Sequence, residues 1–449
     1  MGSPAIDLTT AEPGRGDTAV ATIESLNHDA RGVARVNGKV TFIEGALPGE
    51  TVRFRYRNRR QRYDSGALLE VLTPSPQRVR PRCAHFGVCG GCSLQHLDLD
   101  AQLAAKQHVL ADSLTRIGKT GPQTWLAPLA GRGWGYRRRA RLGVRLVPRK
   151  GGVLVGFRER RRSYITNLSE CPVLNERVSG LLPDLHALIA GLSCPDRIPQ
   201  VEVAVADNAV ALVFRHLVAL AAPDLERLSA FGERHALQIH LQGGGPDTVV
   251  PLFPRAPEAL CYRLPEHGVT LRFDPADFIQ VNGEVNRQMV TQALTLLELR
   301  PADQVLDLFC GLGNFTLPAA RRCARVLGIE ADAAAVALAR DNATLNAIAN
   351  VEFRVGNLYD ESAAQDPWDG FRFDKLLLDP PRSGAMEALK RLRAPLPGRI
   401  VYVSCSPATL ARDAGYLVHA LGYRLVSAGV MDMFPHTSHV ESMALFVKS

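Results

Sequence analysis

After about residue 270 the chain alternates short apolar strands with helical segments, and this alternation constrains the fold more than any other feature. The predicted strands are Val305–Phe309, Arg325–Ile329, Val351–Val355, Lys375–Leu378 and Ile400–Val403. Strands that are joined through helices lie parallel, with helices on both faces of the sheet. The pattern therefore predicts a doubly wound, Rossmann-like α/β domain over residues 271–449.

The chain has 449 residues, more than the about 100–200 of a usual domain, so we expect further units before this sheet. Residues 1–15 read as a disordered tail. Short strands and turns without a long helical period predict a small OB-like β-barrel over 16–78. Residues 79–270 predict a central α+β domain that carries a cysteine-rich loop from Arg82 to Leu97. We assign no chemistry to the second half of this domain.

Charge and cysteine content limit the class of partner. The formal net charge is +8, and arginines cluster within 53–62 and 137–162, which favours a nucleic-acid partner. No apolar leader and no long apolar segment is found, so we expect a cytoplasmic protein without a membrane partner. In that reducing compartment, nine cysteines are better read as metal ligands, thiol nucleophiles or core residues than as disulfides.

A glycine-containing turn follows the first strand of the predicted α/β domain. Gly311 and Gly313 would let the backbone approach a ligand closely. A dinucleotide-binding turn would have a third glycine where this chain has Thr316. The turn therefore favours a neutral or cationic nucleoside ligand.

Polar side chains follow the next three strands. Glu330 ends the second strand, where a carboxylate can reach ribose hydroxyls, and Asn357 and Asp379 follow the third and fourth strands. Because the carboxyl ends of parallel strands share one edge, we expect these side chains to line a common crevice. Either Asn357 or Asp379 alone could be an ordinary turn cap.

A thiol and a carboxylate mark the same edge. Cys405 follows the fifth strand, between Ser404 and Ser406-Pro407, and Glu441 opens the last strand. Cys405 is the candidate nucleophile and Glu441 the candidate base, although a packing cysteine and a carboxylate without a role are the alternatives. His436 and His439 lie nearby and are assigned no role.

The cysteine-rich loop predicts a metal site. Cys83, Cys89 and Cys92 lie within ten residues, and Cys171 supplies a distant fourth thiol. Four thiolates suit either zinc or a four-iron cluster, and the residues alone leave both open.

Four motifs together resemble the RNA uracil-5-methyltransferases. They are Asp307-Leu-Phe-Cys-Gly-Leu-Gly-Asn-Phe, Asp379-Pro-Pro-Arg, Ser404-Cys-Ser-Pro and His439-Val-Glu-Ser, and the match is closest to members that act on 23S ribosomal RNA. The likeness runs from about residue 16 to the C-terminus, and its barrel resembles the RNA-binding TRAM domain. It implies a monomeric enzyme that moves a methyl group from S-adenosylmethionine to carbon 5 of a uridine in 23S ribosomal RNA.

The resemblance also implies individual residue roles. Cys405 would be the nucleophile and Glu441 the base. The S-adenosylmethionine site would comprise Gln280, Phe309, Asn314, Glu330, Asn357 and Asp379. A [4Fe-4S] cluster would be held by Cys83, Cys89, Cys92 and Cys171.

Two alternatives remain. The chain could be a noncatalytic iron-sulfur RNA-binding protein whose α/β domain has lost its activity. It could also be a cytosine-5 RNA methyltransferase, but such enzymes typically carry the cysteine after the proline motif of the fourth strand, where this chain has Arg382.

Overall fold

The computed structural model describes residues 16–360 and 365–448, and the predicted tail at 1–15 lies outside them. The first unit is a six-stranded sheet in the order β1-β5-β6-β4-β3-β2. Its strands are β1 (Thr18–Thr22), β2 (Ser25–Leu26), β3 (Arg31–Val36), β4 (Lys39–Glu44), β5 (Thr51–Arg59) and β6 (Tyr63–Thr73). Asn37 and Gly38 both have positive φ, 50° and 78°, which gives the tight turn of the β3–β4 hairpin.

The central unit is a second six-stranded sheet, in the order β13-β12-β11-β10-β8-β9. Its strands are β8 (Arg139–Val147), β9 (Gly152–Gly156), β10 (Gln200–Val205), β11 (Val210–Arg215), β12 (Gln238–Gln242) and β13 (Val249–Phe253). Its helices are α2 (Glu176–Ser179), α3 (Leu182–Ala190) and α4 (Ala222–Arg234). A separate hairpin, β14 (Leu260–Leu264) and β15 (Val269–Phe273), precedes the C-terminal unit.

The C-terminal unit is an eight-stranded sheet in the order β18-β17-β16-β19-β20-β22-β21-β7. The strands are β7 (Thr124–Trp125), β16 (Gln304–Leu308), β17 (Arg325–Glu330), β18 (Val351–Val355), β19 (Lys375–Leu378), β20 (Arg399–Ser404), β21 (Tyr423–Met431) and β22 (Glu441–Lys448). The five strands from β18 to β20 pair in parallel, as predicted, whereas β22 runs antiparallel to β20 and β21. The strand order reverses between β16 and β19, which makes their carboxyl ends the usual ligand position.

Helices cover both faces of this sheet. The helices are α1 (Leu99–Arg116), α5 (Gly283–Leu297), α6 (Thr316–Ala320), α7 (Ala333–Leu345), α8 (Met386–Lys390) and α9 (Pro407–His419). Side chains of α5, α6 and α7 share one core cluster, and those of α1, α8 and α9 share the other. The doubly wound architecture predicted from the sequence is therefore confirmed.

The boundary between the predicted central domain and the α/β domain stays a prediction. Both α1 and β7 precede residue 270, yet α1 packs in the C-terminal core and β7 pairs with β21. The buried face of α1 includes Gln102 and Lys106 beside Leu110 and Leu114. No helix in the described part of the chain is both long and apolar enough to cross a membrane.

Candidate active site

The turn after β16 opens onto the point where the strand order reverses. Phe309, Gly311 and Gly313 have positive φ values of 66°, 53° and 98°. A Cβ added to Gly311 would meet nothing within 4 Å, so the backbone borders open space. The Gly311 N–H donates to Glu330 Oε2 over 3.2 Å, which ties this turn to the end of β17.

The side chains after β17 and β18 also bind their own turns. Glu330 Oε1 accepts the N–H groups of Ala331 and Asp332 at 2.7 and 3.1 Å. Asn357 is exposed, and its Oδ1 accepts the Tyr359 N–H at 3.0 Å. These hydrogen bonds are those of turn caps, and they also fix where each side chain stands at the crevice edge.

Asn314 is positioned by residues for which the sequence predicts no role. Its Oδ1 accepts from Tyr262 Oη and Asn286 Nδ2, and its Nδ2 donates to Asn286 Oδ1, all at 3.0 Å. Tyr262 lies on β14, in the region where we predicted no chemistry. Gln280 lies half-buried before α5, and Phe278 beside it is 78% exposed.

Two carboxyl groups, those of Asp307 and Asp379, lie at the carboxyl ends of β16 and β19. Burial, helped by the charge of Glu330, raises the pKa of Asp307 to about 7, although its hydrogen bond from Thr316 opposes the shift. Burial, followed by the charges of Glu441 and Asp307, raises the pKa of Asp379 to about 8. Asp379 is therefore mainly protonated at neutral pH.

The structure brings Cys405 and Glu441 together. In the antiparallel ladder Ser404, which directly precedes Cys405, pairs with Ser442, which directly follows Glu441, so Cys405 and Glu441 lie at the same end of the β20–β22 pair. Burial raises the pKa of the half-buried Cys405 thiol to about 11, and the charges of Glu441 and then Asp379 add to this effect. The thiol, the candidate base and a crevice carboxyl thus form one group.

His439, for which the sequence predicts no role, contacts the candidate base. Its Nε2 is 2.9 Å from Glu441 Oε1. On the other side, Arg382 Nη2 lies 3.5 Å from His439 Nδ1, and the Phe434 ring meets the imidazole edge-on with centroids 4.6 Å apart. The spacing His-x-Glu at a strand start places both side chains on one face, and this signal was available in the sequence.

The four cysteines of the predicted metal site share one neighbourhood. Cys171 is among the groups that raise the pKa of Cys83, Cys89 and Cys92, after burial as the main cause. Burial raises the pKa of Cys89 to about 11 and that of Cys92 to about 12. As placed, no three His, Cys, Asp or Glu side chains within residues 16–360 and 365–448 form a metal-binding group.

The reversal of strand order, the glycine turn and the ring of polar side chains define a doubly wound α/β protein with a nucleoside-type crevice and an adjacent thiol. Among protein families, the tRNA (Uracil-5-)-methyltransferase model matches residues 100–449, and the TRAM domain model matches residues 15–55. The chain belongs to the tRNA (uracil-5-)-methyltransferase family, which confirms the resemblance carried by the four motifs.

Curated relatives cover nearly the whole chain. The 23S rRNA (uracil(1939)-C(5))-methyltransferase RlmD of Aromatoleum aromaticum is 52% identical over 433 residues, 96% of this chain and 100% of that protein. RlmD of Nitrosococcus oceani is 55% identical over 428 residues, 95% of each chain. The crystal structure of Pyrococcus abyssi tRNA (uracil-54, C5)-methyltransferase with S-adenosyl-L-homocysteine matches with a TM-score of 0.72 and 26% identity, over 96% of this chain and 100% of that one.

Proposed function

We propose that this protein methylates carbon 5 of a uridine in 23S ribosomal RNA, in the cytoplasm, with S-adenosylmethionine as methyl donor. Relatives that are named for this reaction align over almost the full chain. The observation that carries the chemical proposal is that Cys405 and Glu441 lie at one end of the β20–β22 pair, where the charge of Glu441 acts on the thiol. The N-terminal TRAM match supports an RNA substrate.

Carbon 5 of uracil is too weak a nucleophile to attack a methyl group unaided. The Cys405 thiolate adds to carbon 6, and the ring electrons move onto carbon 5 and oxygen 4. When bound, S-adenosylmethionine would supply an electrophilic methyl group to carbon 5, and its sulfur would keep the electron pair of the broken carbon–sulfur bond and leave as a neutral thioether. Glu441 then takes the proton from carbon 5, and the sulfur–carbon bond breaks to restore the uracil double bond and the thiolate.

The crevice has the features that a sulfonium nucleoside requires. Glu330 offers a carboxylate to ribose hydroxyls, and the open backbone at Gly311 leaves room for the ligand. We assign the cofactor site to Gln280, Phe309, Asn314, Glu330, Asn357 and Asp379. The exposed Phe278 ring offers a surface on which an extruded base can stack.

We further propose that Cys83, Cys89, Cys92 and Cys171 hold a [4Fe-4S] cluster. The charge of Cys171 is among the causes that raise the pKa of Cys83, Cys89 and Cys92, which supports a common neighbourhood, and four thiolates suit such a cluster. Four protein thiolates fill all four iron positions, so the cluster would cross-link the loop to the central unit. Iron and sulfide analysis of protein purified without oxygen tests this assignment.

The test of the reaction compares Cys405→Ala with a control, Cys194→Ala. Cys194 is half-buried and lies between α3 and β10 in the central unit. With 23S RNA from a strain that lacks the modification, we expect Cys405→Ala to lose methyl transfer and keep S-adenosylmethionine binding, while Cys194→Ala keeps both. Undiminished methylation by Cys405→Ala contradicts the mechanism.

Glu441→Gln tests the base. It should transfer the methyl group yet fail to release the enzyme, which leaves a covalent RNA complex on denaturing gels, and absence of that complex contradicts the assignment. Nucleoside analysis of the product separates 5-methyluridine from 5-methylcytidine. Wild-type protein that binds RNA without incorporating methyl groups would instead support the noncatalytic alternative.

A further inference from the structure

The loop between β21 and β22, residues 432–440, carries the chain into Glu441, and we name it the base loop. Its backbone is bound by the cysteine-rich loop. The N–H groups of Ser93 and Leu94 donate to the His436 carbonyl at 2.8 and 2.9 Å. In return, the Ser438 N–H donates to Ser93 Oγ at 2.8 Å. Ser93 directly follows Cys92 in the sequence.

Helix α1 binds the same loop from a second side. Gln102 Oε1 accepts the His436 N–H at 2.8 Å, and Gln102 Nε2 lies 3.3 Å from His436 Nδ1. Lys106 Nζ lies 2.6 Å from Asp432 Oδ1 and donates to the Phe434 carbonyl at 3.0 Å. His436 is buried with φ at 66°, a conformation that a non-glycine residue keeps only when its surroundings hold it.

The contacts continue to the carboxylate. Ser438, which Ser93 binds, is next to His439, and His439 Nε2 lies 2.9 Å from Glu441 Oε1. A base must stand within about 2.6–3.2 Å of the proton that it removes, and a displacement of about 1 Å can cost a large factor in rate. Cys405 directly follows β20 and the cofactor crevice lies at the ends of β16–β19, and no hydrogen bond described for Ser93 reaches either of them.

We propose that Ser93 is a positioning residue for Glu441, through which the cysteine-rich loop sets the proton-abstraction step. The inference rests on the proposed function. It separates the two chemical steps. Methyl transfer depends on Cys405 and the crevice, whereas release of the carbon 5 proton depends also on the hydrogen bonds that hold the base loop. Loss of one of these hydrogen bonds should slow proton release and leave methyl transfer largely intact.

The experiment measures both steps in the iron-loaded enzyme, using 23S RNA that carries tritium at carbon 5 of its uridines and a labelled methyl donor. Ser93→Ala removes the hydroxyl that accepts the Ser438 N–H. We expect tritium release to fall about fivefold to tenfold relative to methyl transfer, the loss expected for one hydrogen bond. The covalent RNA complex should accumulate accordingly.

Three variants accompany this measurement. Ser93→Thr keeps a hydroxyl and should restore the ratio of the two steps, and Ser229→Ala, a half-buried serine on α4, should leave it unchanged. Gln102→Leu weakens the base loop from α1, at a site that is not adjacent to a cysteine, and should reproduce the effect of Ser93→Ala. Iron content per chain, measured for each variant, should equal that of the wild type.

Two results overturn the proposal. One is an unchanged ratio of tritium release to methyl transfer in both Ser93→Ala and Gln102→Leu. The other is an equal fall of both steps in these variants, which would indicate general damage. Failure of the proposed function looks different, because the wild type itself would then release no tritium and form no covalent complex.

Discussion

The cofactor crevice and the base loop meet at Cys405, but they are built in opposite ways. The crevice side chains after β16, β17, β18 and β19 stand at the ends of successive parallel strands. The base loop is held by residues that lie 299 to 345 positions earlier in the chain. They extend from Ser93, which accepts the Ser438 N–H, to Tyr136, whose hydroxyl donates to the Pro435 carbonyl. The first arrangement follows from topology and the second from long-range contacts.

This difference predicts where the protein is sensitive to substitution. In the crevice, Glu330 and Asn357 bind backbone N–H groups of their own turns, so removal of one side chain leaves the other in place. The base loop depends on buried groups that are satisfied by one another, and buried polar groups left without partners are costly. A single substitution of a residue that holds the base loop should therefore cost more free energy of unfolding than most substitutions in the crevice cost in free energy of ligand binding.

The largest effect is expected at Lys106. Lys106 and Asp432 form an ion pair with side chains only 2% and 4% exposed, and burial lowers the pKa of Lys106 against the attraction of Asp432. Lys106→Met leaves the Asp432 carboxylate buried without its cation, so we expect a loss of about 3–5 kcal/mol in the free energy of unfolding. Chemical denaturation measures it.

The matched control is Lys39→Met, which breaks a pair with Asp64 in which the lysine is 33% exposed. Here the loss should stay near or below about 1 kcal/mol. Replacing both members, Lys106→Met with Asp432→Leu, should recover much of the stability because no unpaired charge remains. If Lys106→Met costs no more than Lys39→Met, the base loop does not depend on this pair.

The same contrast explains what the sequence could predict. Apolar strands in regular alternation with helices fix the parallel order, and that order places Glu330, Asn357 and Asp379 at one edge without any knowledge of packing. The structure buries Lys106 in α1 together with Leu110 and Leu114. The sequence around a lysine does not indicate that its buried partner lies 326 positions away. The contacts that hold the base loop could therefore not be predicted.

The crevice provides the second prediction. Glu330→Gln keeps an oxygen that can accept the turn N–H groups but removes the charge that we assign to the ribose hydroxyls. Loss of a charge-assisted hydrogen bond of about 1.5–3 kcal/mol should weaken S-adenosylmethionine binding about 10- to 100-fold. Calorimetric titration measures this, and Glu352→Gln on β18, whose partners are Arg325 and Arg354, should bind as the wild type does. Equal affinities for Glu330→Gln and wild type would remove Glu330 from the site.

The third prediction concerns Cys405, whose pKa is raised by Glu441 after the base loop and by Asp379 in the crevice. With its pKa raised to about 11, mainly by burial and then by Glu441 and Asp379, its thiolate fraction should rise about tenfold per pH unit below that value. Alkylation by iodoacetamide, followed on the Cys405 peptide by mass spectrometry, should show this slope from pH 7 to 10. A plateau near pH 8 would contradict it.

Two variants separate the contributions of Glu441 and Asp379 to the raised pKa of Cys405. Glu441→Gln removes a negative charge next to the thiol and should accelerate alkylation across the whole pH range. Asp379→Asn should have little effect at pH 7, where the raised pKa of about 8 keeps Asp379 protonated, and should accelerate alkylation only above that pH. Glu441, which follows the base loop, and Asp379 in the crevice thus affect the alkylation of one thiol in different pH ranges.

The smallest effect is expected at Tyr262. Its hydroxyl makes one of three hydrogen bonds to the Asn314 amide, and Asn286 makes the other two. Burial raises the pKa of Tyr262, so the phenol stays a donor, and Tyr262→Phe removes about 0.5–1.5 kcal/mol of support. Because Asn286 still holds the amide, S-adenosylmethionine affinity measured by calorimetry should fall no more than about tenfold. A loss as large as that of Glu330→Gln would mean that the crevice, like the base loop, depends on single distant contacts.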